Sequence, residues 1–143
     1  MSDARQLRGP ALAEALRDSR ARTLAWTTDL SDAEWRMPMQ AGVNPIAWEL
    51  AHIAWFAEFW VLRGPHRNDA QDRVIAERPA RIAGPDHLFD SSRLAHAARW
   101  SAVLPSRSAL QDTLAAQLEA CLAVLPDDEQ TPYFHRQIGR AHV

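Results

Sequence analysis

Apolar side chains recur at helical spacing in three long segments of the chain. The first segment follows Gly9-Pro10 and has arginines and acids along one side. Its other side carries Leu12, Leu16, Ser19, Thr23 and Trp26 or Thr27. The last segment, residues 106–125, repeats this period with Leu110, Leu114, Leu118, Cys121 and Leu125. No segment alternates with period two, so the pattern predicts an all-α bundle.

The middle segment, residues 44–64, is the most aromatic part of the chain and reads NPIAWELAHIAWFAEFWVLRG. Asn44-Pro45 predicts an N-cap and a first-turn proline, and Gly64-Pro65 predicts the end of the helix near Arg63. At about 100° per residue, one face of this helix carries Trp48, His52, Trp55, Phe56 and Phe59. The opposite face is also small or apolar, so we expect most of the helix to be buried.

Shorter elements are predicted between and after these segments. Ser31–Glu34 has the form of a capping box and predicts a short helical turn. Residues 64–105 form a long connection rich in proline and polar residues, with a turn of helix predicted at VIAER, residues 74–78. Within it, residues 87–100 have enough apolar side chains to fold back onto the core. Thr131-Pro132 predicts the first turn of a fourth long helix that the chain does not complete.

Composition and charge exclude several classes of function. The net charge is −2 and the pI is about 6.3, which disfavours binding to nucleic acid or to a membrane surface. All sixteen basic residues are arginines, so no lysine is available for Schiff-base chemistry. The lone Cys121 lies in an apolar helical run and is predicted to be a small core residue. Without a disulfide pair, a leader or a membrane-length apolar run, the chain is predicted to be cytoplasmic.

His52 is the candidate for chemistry, because it lies within the aromatic face. A buried imidazole without a partner loses about 1–3 kcal/mol in hydrogen bonding, so it needs either an acceptor or a metal ion. Spacing alone leaves both interpretations open: a core histidine bonded to a carbonyl or an acid, or one ligand of a metal held between helices. The aromatic residues are typical of a core, and Trp55 or Phe56 also suits a quaternary ammonium group.

The stretch from Trp48 to Glu58, WELAHIAWFAE, resembles the second helix of the DinB-like domain that begins the ergothioneine and selenoneine synthases. The resemblance implies a DinB-like four-helix bundle in which His52 is one of three histidines that bind a mononuclear non-haem Fe(II). It also implies a parent enzyme that uses oxygen to join hercynine to a sulfur or selenium donor. Glu49 and residues 88–100 are more similar to the selenoneine branch, in which the donor is a selenosugar.

The resemblance also suggests residues for the substrates. Arg93, His96 and Arg99 are candidates for the donor pocket, because arginine offers several donors to sugar or carboxylate oxygens. The alternative is that these arginines pair with Asp86 or Asp90. Trp55 is the candidate for contact with the trimethylammonium group of hercynine, and no catalytic residue is assigned.

The end of the sequence departs from the family pattern. Family members continue after a segment like Tyr133–Arg136 with a helix bearing His-Glu-x-x-His, which supplies the other two iron ligands. Here QIGRAHV follows instead, and Ile138–Val143 resembles the translation of a sequencing adapter. We therefore expect residues 1–137 to be the N-terminal part of a larger enzyme and residues 138–143 to be a non-native tail. The family's C-terminal domain would be missing, and this fragment would hold iron poorly.

Two other functions remain open from the sequence. One is a stand-alone DinB-like thiol S-transferase with a zinc or nickel site in the same bundle. The other is a non-catalytic helical module in which His52 is a hydrogen-bonded core residue. Whether the fragment has activity of its own is also left open.

Overall fold

A computed structural model describes residues 6–125, and helices form most of that part of the chain. The helices are α1 Gly9–Thr28, α2 Asp32–Trp35, α3 Ile46–Ala57, α4 Asp86–Phe89, α5 Ala98–Ser101 and α6 Arg107–Ala123. The long helix α6 packs against both α3 and α1, and α4 packs against α3. The predicted all-α architecture is confirmed. The incomplete fourth long helix and the tail at 138–143 lie outside the described residues.

The starts of the helices largely follow their predicted signals. α1 has Pro10 in its first turn, and α2 has the predicted capping box, in which Ser31 and Glu34 exchange side-chain and backbone hydrogen bonds. The Asn44 cap is wrong. Pro45 occupies the N-cap position of α3, and the Asn44 side chain donates to Glu49 Oε2 at 2.7 Å instead of accepting a backbone N–H.

The middle helix does not stay α-helical to its predicted end. After Ala57 it continues as a π-helical segment, Glu58–Leu62, which buries Glu58 and Phe59. A π-segment accommodates one extra residue in a helix and is often found at functional sites. An extra residue changes the direction of the side chains that follow it, so the residues after the π-segment face different neighbours than in a regular α-helix.

The turn of helix expected at residues 74–78 is also wrong, because a short strand lies there. β1 His66–Asn68 pairs with β2 Val74–Ala76 in an antiparallel hairpin, with His66 opposite Ala76. Its turn is held by the Asp69 carboxylate, which accepts the backbone N–H groups of Gln71 and Arg73. The β-branched Val74 and Ile75 favour this extended backbone over a helix.

The core is centred on the face of α3 that packs against α6 and α4. Its least exposed large side chains are Trp48, Phe59, Leu110 and Leu114. Phe89 enters from the long connection, as expected for residues 87–100. Of the two alternatives at the end of α1, Trp26 is 85% exposed and Thr27 is half-buried. No described helix has the combination of length and apolar character needed to cross a membrane.

Candidate functional site

His52 has a defined hydrogen-bond partner and a defined ring orientation. Its Nδ1 lies 2.7 Å from the carbonyl oxygen of Phe89, and its ring stacks on Trp48 with centroids 4.8 Å apart. A carbonyl only accepts, so Nδ1 carries the proton in this bond. In the neutral imidazole Nε2 then holds a lone pair. Among residues 6–125, Nε2 has no hydrogen-bond partner.

Two more rings of α3 are bonded to the same short helix. Trp48 Nε1 donates to the Leu88 carbonyl at 2.9 Å, and Trp55 Nε1 donates to Asp86 Oδ1 at 2.8 Å. Together with the bond from His52 to Phe89, three ring N–H groups from one face of α3 are accepted by α4. We call these three hydrogen bonds the α4 clamp. The position of α4 therefore sets the orientation of His52.

Arg63, just beyond the π-segment, fixes α4 in turn. Its guanidinium donates to both carboxylate oxygens of Asp86, at 2.5 and 3.0 Å, and its Nε donates to the Arg78 carbonyl at 2.8 Å. Arg63 is 5% exposed, so the ion pair is largely removed from water. Burial raises the pKa of Asp86, but the hydrogen bonds from Arg63 and Trp55 outweigh it and hold that pKa below its usual value.

Glu58 binds the loop that lies between Arg78 and α4. Its carboxylate accepts backbone N–H groups of Arg81, Ile82 and Ala83, the shortest at 2.7 Å, and the residue is 2% exposed. Successive N–H groups that converge on one anion form a backbone nest. Within residues 6–125 no arginine or histidine forms an ion pair with Glu58. The last residue of the stretch WELAHIAWFAE therefore orders the loop that leads into α4.

Gly84, directly before Pro85 and α4, leaves space for Phe89. Its φ is +93°, and a Cβ there would lie 2.8 Å from the Phe89 ring. We expect Gly84→Ala to lower the free energy of unfolding by about 2–3 kcal/mol, from backbone strain and overpacking together. Urea unfolding followed by tryptophan fluorescence measures this.

Gly42→Ala is the matched control for that variant. Gly42 also has positive φ, +75°, but nothing lies within 4 Å of its added Cβ. The Gly42→Ala variant has the backbone strain without the clash, so it should lower the free energy of unfolding by less than Gly84→Ala does. Equal losses in the two variants would contradict the close contact with Phe89.

Acid should weaken the fold partly through Asp86. Because its pKa is lower in the folded than in the unfolded chain, its ionisation stabilises the fold above pH ~4. This stabilisation is lost as the pH falls through the folded-state pKa. The free energy of unfolding, measured from pH 6 to pH 3, should therefore fall less steeply for Asp86→Asn than for the wild type. If the free energy of unfolding falls equally steeply with pH in the two proteins, the lowered pKa of Asp86 is contradicted.

The four residues predicted to bind substrate have distinct surroundings. The Arg99 guanidinium lies 4.2 Å from the centre of the Trp48 ring and donates to Asn44 Oδ1 and to the carbonyls of Ser91 and Leu94. Trp55 stacks beside His52 with centroids 5.8 Å apart, and it is 3% exposed. The structure thus brings Arg99 and Trp55 into the aromatic cluster around His52.

Arg93 and His96 lie on the same connection but make other contacts. Arg93 pairs with Asp90 at 3.2 Å, as the alternative interpretation proposed, while its Nη2 is buried with no hydrogen-bond partner in the described part of the chain. His96 Nε2 is 2.5 Å from the Val43 carbonyl. The substrate-binding roles of all four residues stay predictions.

The fit of a metal ion can be judged at His52. A histidine whose Nδ1–H is held by a carbonyl and whose Nε2 lone pair is available has the usual arrangement of a metal ligand. Residues 6–125 contain no group of three His, Cys, Asp or Glu side chains placed to hold a metal ion. His52 therefore fits one ligand position. Tyr133–Arg136, after which the resemblance places the other two ligands of the parent enzyme, lies outside the described residues.

Sequence reasoning missed the residues that position His52. It treated Glu58 as flanking and assigned no role to Arg63 or to the Phe89 carbonyl. The position of Glu58 at the end of an otherwise apolar helix could have indicated its role, since a buried carboxylate must accept hydrogen bonds from some donor. The Phe89 acceptor is a main-chain atom and leaves no mark on residue type.

Cys121 has the predicted core environment. It is buried, and the Gln117 amide donates to its Sγ. Burial raises the pKa of the thiol to about 11. We expect little reaction with a disulfide reagent at pH 8 in the native state, since the thiolate is about a hundredfold rarer than for a pKa of 9.0. Rapid reaction in denaturant is the control, and equally rapid native reaction would contradict the burial.

Comparison with known proteins agrees with this architecture. The family model described as the DinB superfamily matches residues 15–142. A protein named hercynine oxygenase, from Mycolicibacterium thermoresistibile, is 33% identical over an alignment length of 141, and the alignment covers 92% of this chain and 28% of that protein. The chain thus spans little more than a quarter of the length of this relative. Because the family model covers most of the sequence, the chain belongs to the DinB superfamily.

Proposed function

We propose that this chain is the N-terminal, metal-binding part of an oxygen-dependent non-haem iron enzyme that forms a carbon–sulfur or carbon–selenium bond on hercynine. The observation that carries the proposal is the geometry of His52, whose Nδ1–H is fixed by the Phe89 carbonyl while Nε2 keeps its lone pair. The relative named hercynine oxygenase supports the substrate class. Glu49 and residues 88–100 favour the selenium branch, with a selenosugar as donor.

In this proposal each part of the aromatic face has a defined task. His52 would hold Fe(II) through Nε2, and the α4 clamp would keep the ring from rotating. The bound iron would supply the site at which oxygen is activated. The rings of Trp48, Trp55 and Phe56 would limit access of water to the His52 side of that site.

The substrates would be bound by groups near this face. Phe56 is half-buried and packs edge-on against His52 at 5.8 Å, and its ring suits the trimethylammonium group of hercynine. Trp55 is 3% exposed and bonded to Asp86, so Phe56 is the more accessible of the two candidate rings. Of the candidate donor-pocket arginines, Arg93 has N–H groups at Nη2 without an acceptor in the described part of the chain. Arg99 instead donates to oxygen atoms of the protein. Arg93 would therefore contact oxygen atoms of the selenosugar or thiol donor.

The reading frame that contains this chain provides the first test. Recovered from source DNA, it should continue after Arg136 with His-Glu-x-x-His and a further domain. A frame without that motif would overturn the iron site. A frame that ends soon after a fourth helix would favour the thiol S-transferase.

A metal and activity assay of the recovered full-length protein provides the second test. We expect stoichiometric iron and oxygen-dependent consumption of hercynine with a selenosugar or a thiol donor. His52→Gln should lose most of both, while His87→Gln, at an exposed position of α4, should keep both. Unchanged iron content and turnover in His52→Gln would instead indicate a core histidine. Comparing the two donors decides between selenium and sulfur.

A further inference from the structure

A cavity lies on a different side of α3 from the aromatic face. It has a volume of about 70 Å³ and is lined by α1, α6 and the helix that carries Ile53, Ala57 and Val61. These three residues follow one another at intervals of four, so they form a single apolar wall. None of them belongs to the face that carries His52, and the cavity is therefore separate from the site described above.

The wall formed by α1 and α6 is mixed: it carries leucines and, among them, the polar side chains of Arg20 and Gln117. The Arg20 guanidinium donates to the Leu114 carbonyl and, at 2.5 Å, to Gln117 Oε1. Gln117 is 1% exposed, and its amide nitrogen donates to Cys121 Sγ. The Gln117 oxygen therefore faces Arg20, and the guanidinium is fixed from the α6 side.

Arg20 is a partly buried cation without a counter-ion in the described part of the chain. No carboxylate of residues 6–125 forms an ion pair with it, whereas the buried Arg63 has Asp86. Desolvation lowers the pKa of Arg20. Two acceptors use only part of the five N–H donors of a guanidinium. A buried charge left unpaired is costly, so this environment favours an anion.

We propose that the cavity beside Arg20 is a binding site for a small carboxylate of two or three carbons. Its carboxylate would accept hydrogen bonds from the guanidinium, and its alkyl end would contact Ile53, Ala57 and Val61. The size supports this choice: a water molecule needs roughly 10–15 Å³ of such volume, so 70 Å³ holds about five non-hydrogen atoms, as in propionate. The proposal does not depend on the function proposed for His52.

Propionate binding to the isotope-labelled 143-residue chain tests this site. In a two-dimensional NMR titration, propionate should produce saturable shifts at Ala57 and at the Gln117 side-chain amide. Propionamide has the same shape without the charge and should bind at least about tenfold more weakly. Equal binding of the two compounds, or shifts that sodium chloride reproduces at the same ionic strength, would overturn the proposal.

Three variants locate the binding. Arg20→Gln removes the charge and should abolish the saturable shifts. Arg22→Gln is the matched control, because this exposed arginine lies two residues away and pairs with Asp18. Ala57→Leu fills the apolar end and should block binding with the charge intact, so it decides the question if Arg20→Gln does not fold. Propionate binding that survives in folded Ala57→Leu would contradict the site.

Discussion

Glu58→Gln is expected to lower the free energy of unfolding by about 3 kcal/mol. Both carboxylate oxygens accept backbone N–H groups of residues 81–83, and the residue is 2% exposed. In the variant one oxygen becomes an amide NH₂ that points at other donors, which leaves a buried N–H unpaired and removes the charge from the remaining bonds. Each such loss costs about 1–3 kcal/mol. Urea unfolding followed by circular dichroism measures the difference.

The control for this variant makes the same substitution at a solvent-exposed helical position. Glu119 is exposed on α6, and Glu119→Gln should change stability by no more than about 0.5 kcal/mol. Amide hydrogen exchange adds a local measurement, because the N–H groups of residues 81–83 should lose protection in Glu58→Gln. A loss of stability below about 1 kcal/mol with unchanged protection would contradict the backbone nest.

Asp86→Asn is expected to lower the free energy of unfolding by a similar amount, about 3 kcal/mol, for a different reason. The substitution keeps an oxygen that can accept from Trp55, but it leaves Arg63, a residue 5% exposed, without its counter-charge. Removing one partner of a buried pair typically costs about 3–5 kcal/mol, and the low end applies because the Asp86 side chain is 22% exposed. Thermal and urea unfolding at pH 7 measure the effect.

Asp18→Asn is the comparison for an exposed pair. Asp18 pairs with Arg22 at 2.9 Å on the surface of α1, where such pairs contribute about 0.5 kcal/mol or less. If the two aspartate variants lose the same small amount of stability, the pair between Arg63 and Asp86 does not hold α4 in the way described. Tryptophan fluorescence gives a second measurement, since a shifted α4 changes the surroundings of two of the six indoles, Trp48 and Trp55.

The long helices could be predicted from the sequence because their signals are local. Leu110 and Leu114 recur with the helical period, and both are almost fully buried. The capping box at Ser31–Glu34 depends on two residues three apart, and it forms as expected. The aromatic face of α3 was placed correctly for the same reason, since 3.6 residues per turn fixes which side chains lie together.

The surroundings of His52 could not be predicted, because they depend on contacts distant in the sequence. The histidine bonds to a carbonyl 37 residues away, and Glu58 bonds to backbone N–H groups 23 to 25 residues away. Backbone groups are present at every position, so periodicity carries no information about them. The π-segment was missed because one extra residue in a helix leaves the apolar pattern nearly unchanged.

The α4 clamp has a consequence for how the length of the connection can vary among related chains. Asp69 and Asp72 at the hairpin tip bond mainly within the turn, so an inserted residue there changes little elsewhere. Residues 78–86 are bonded at both ends to Arg63 and in the middle to Glu58, so one added residue would move α4 out of register with all three rings of α3. Insertions and deletions should therefore concentrate at the hairpin and be rare between residues 78 and 86.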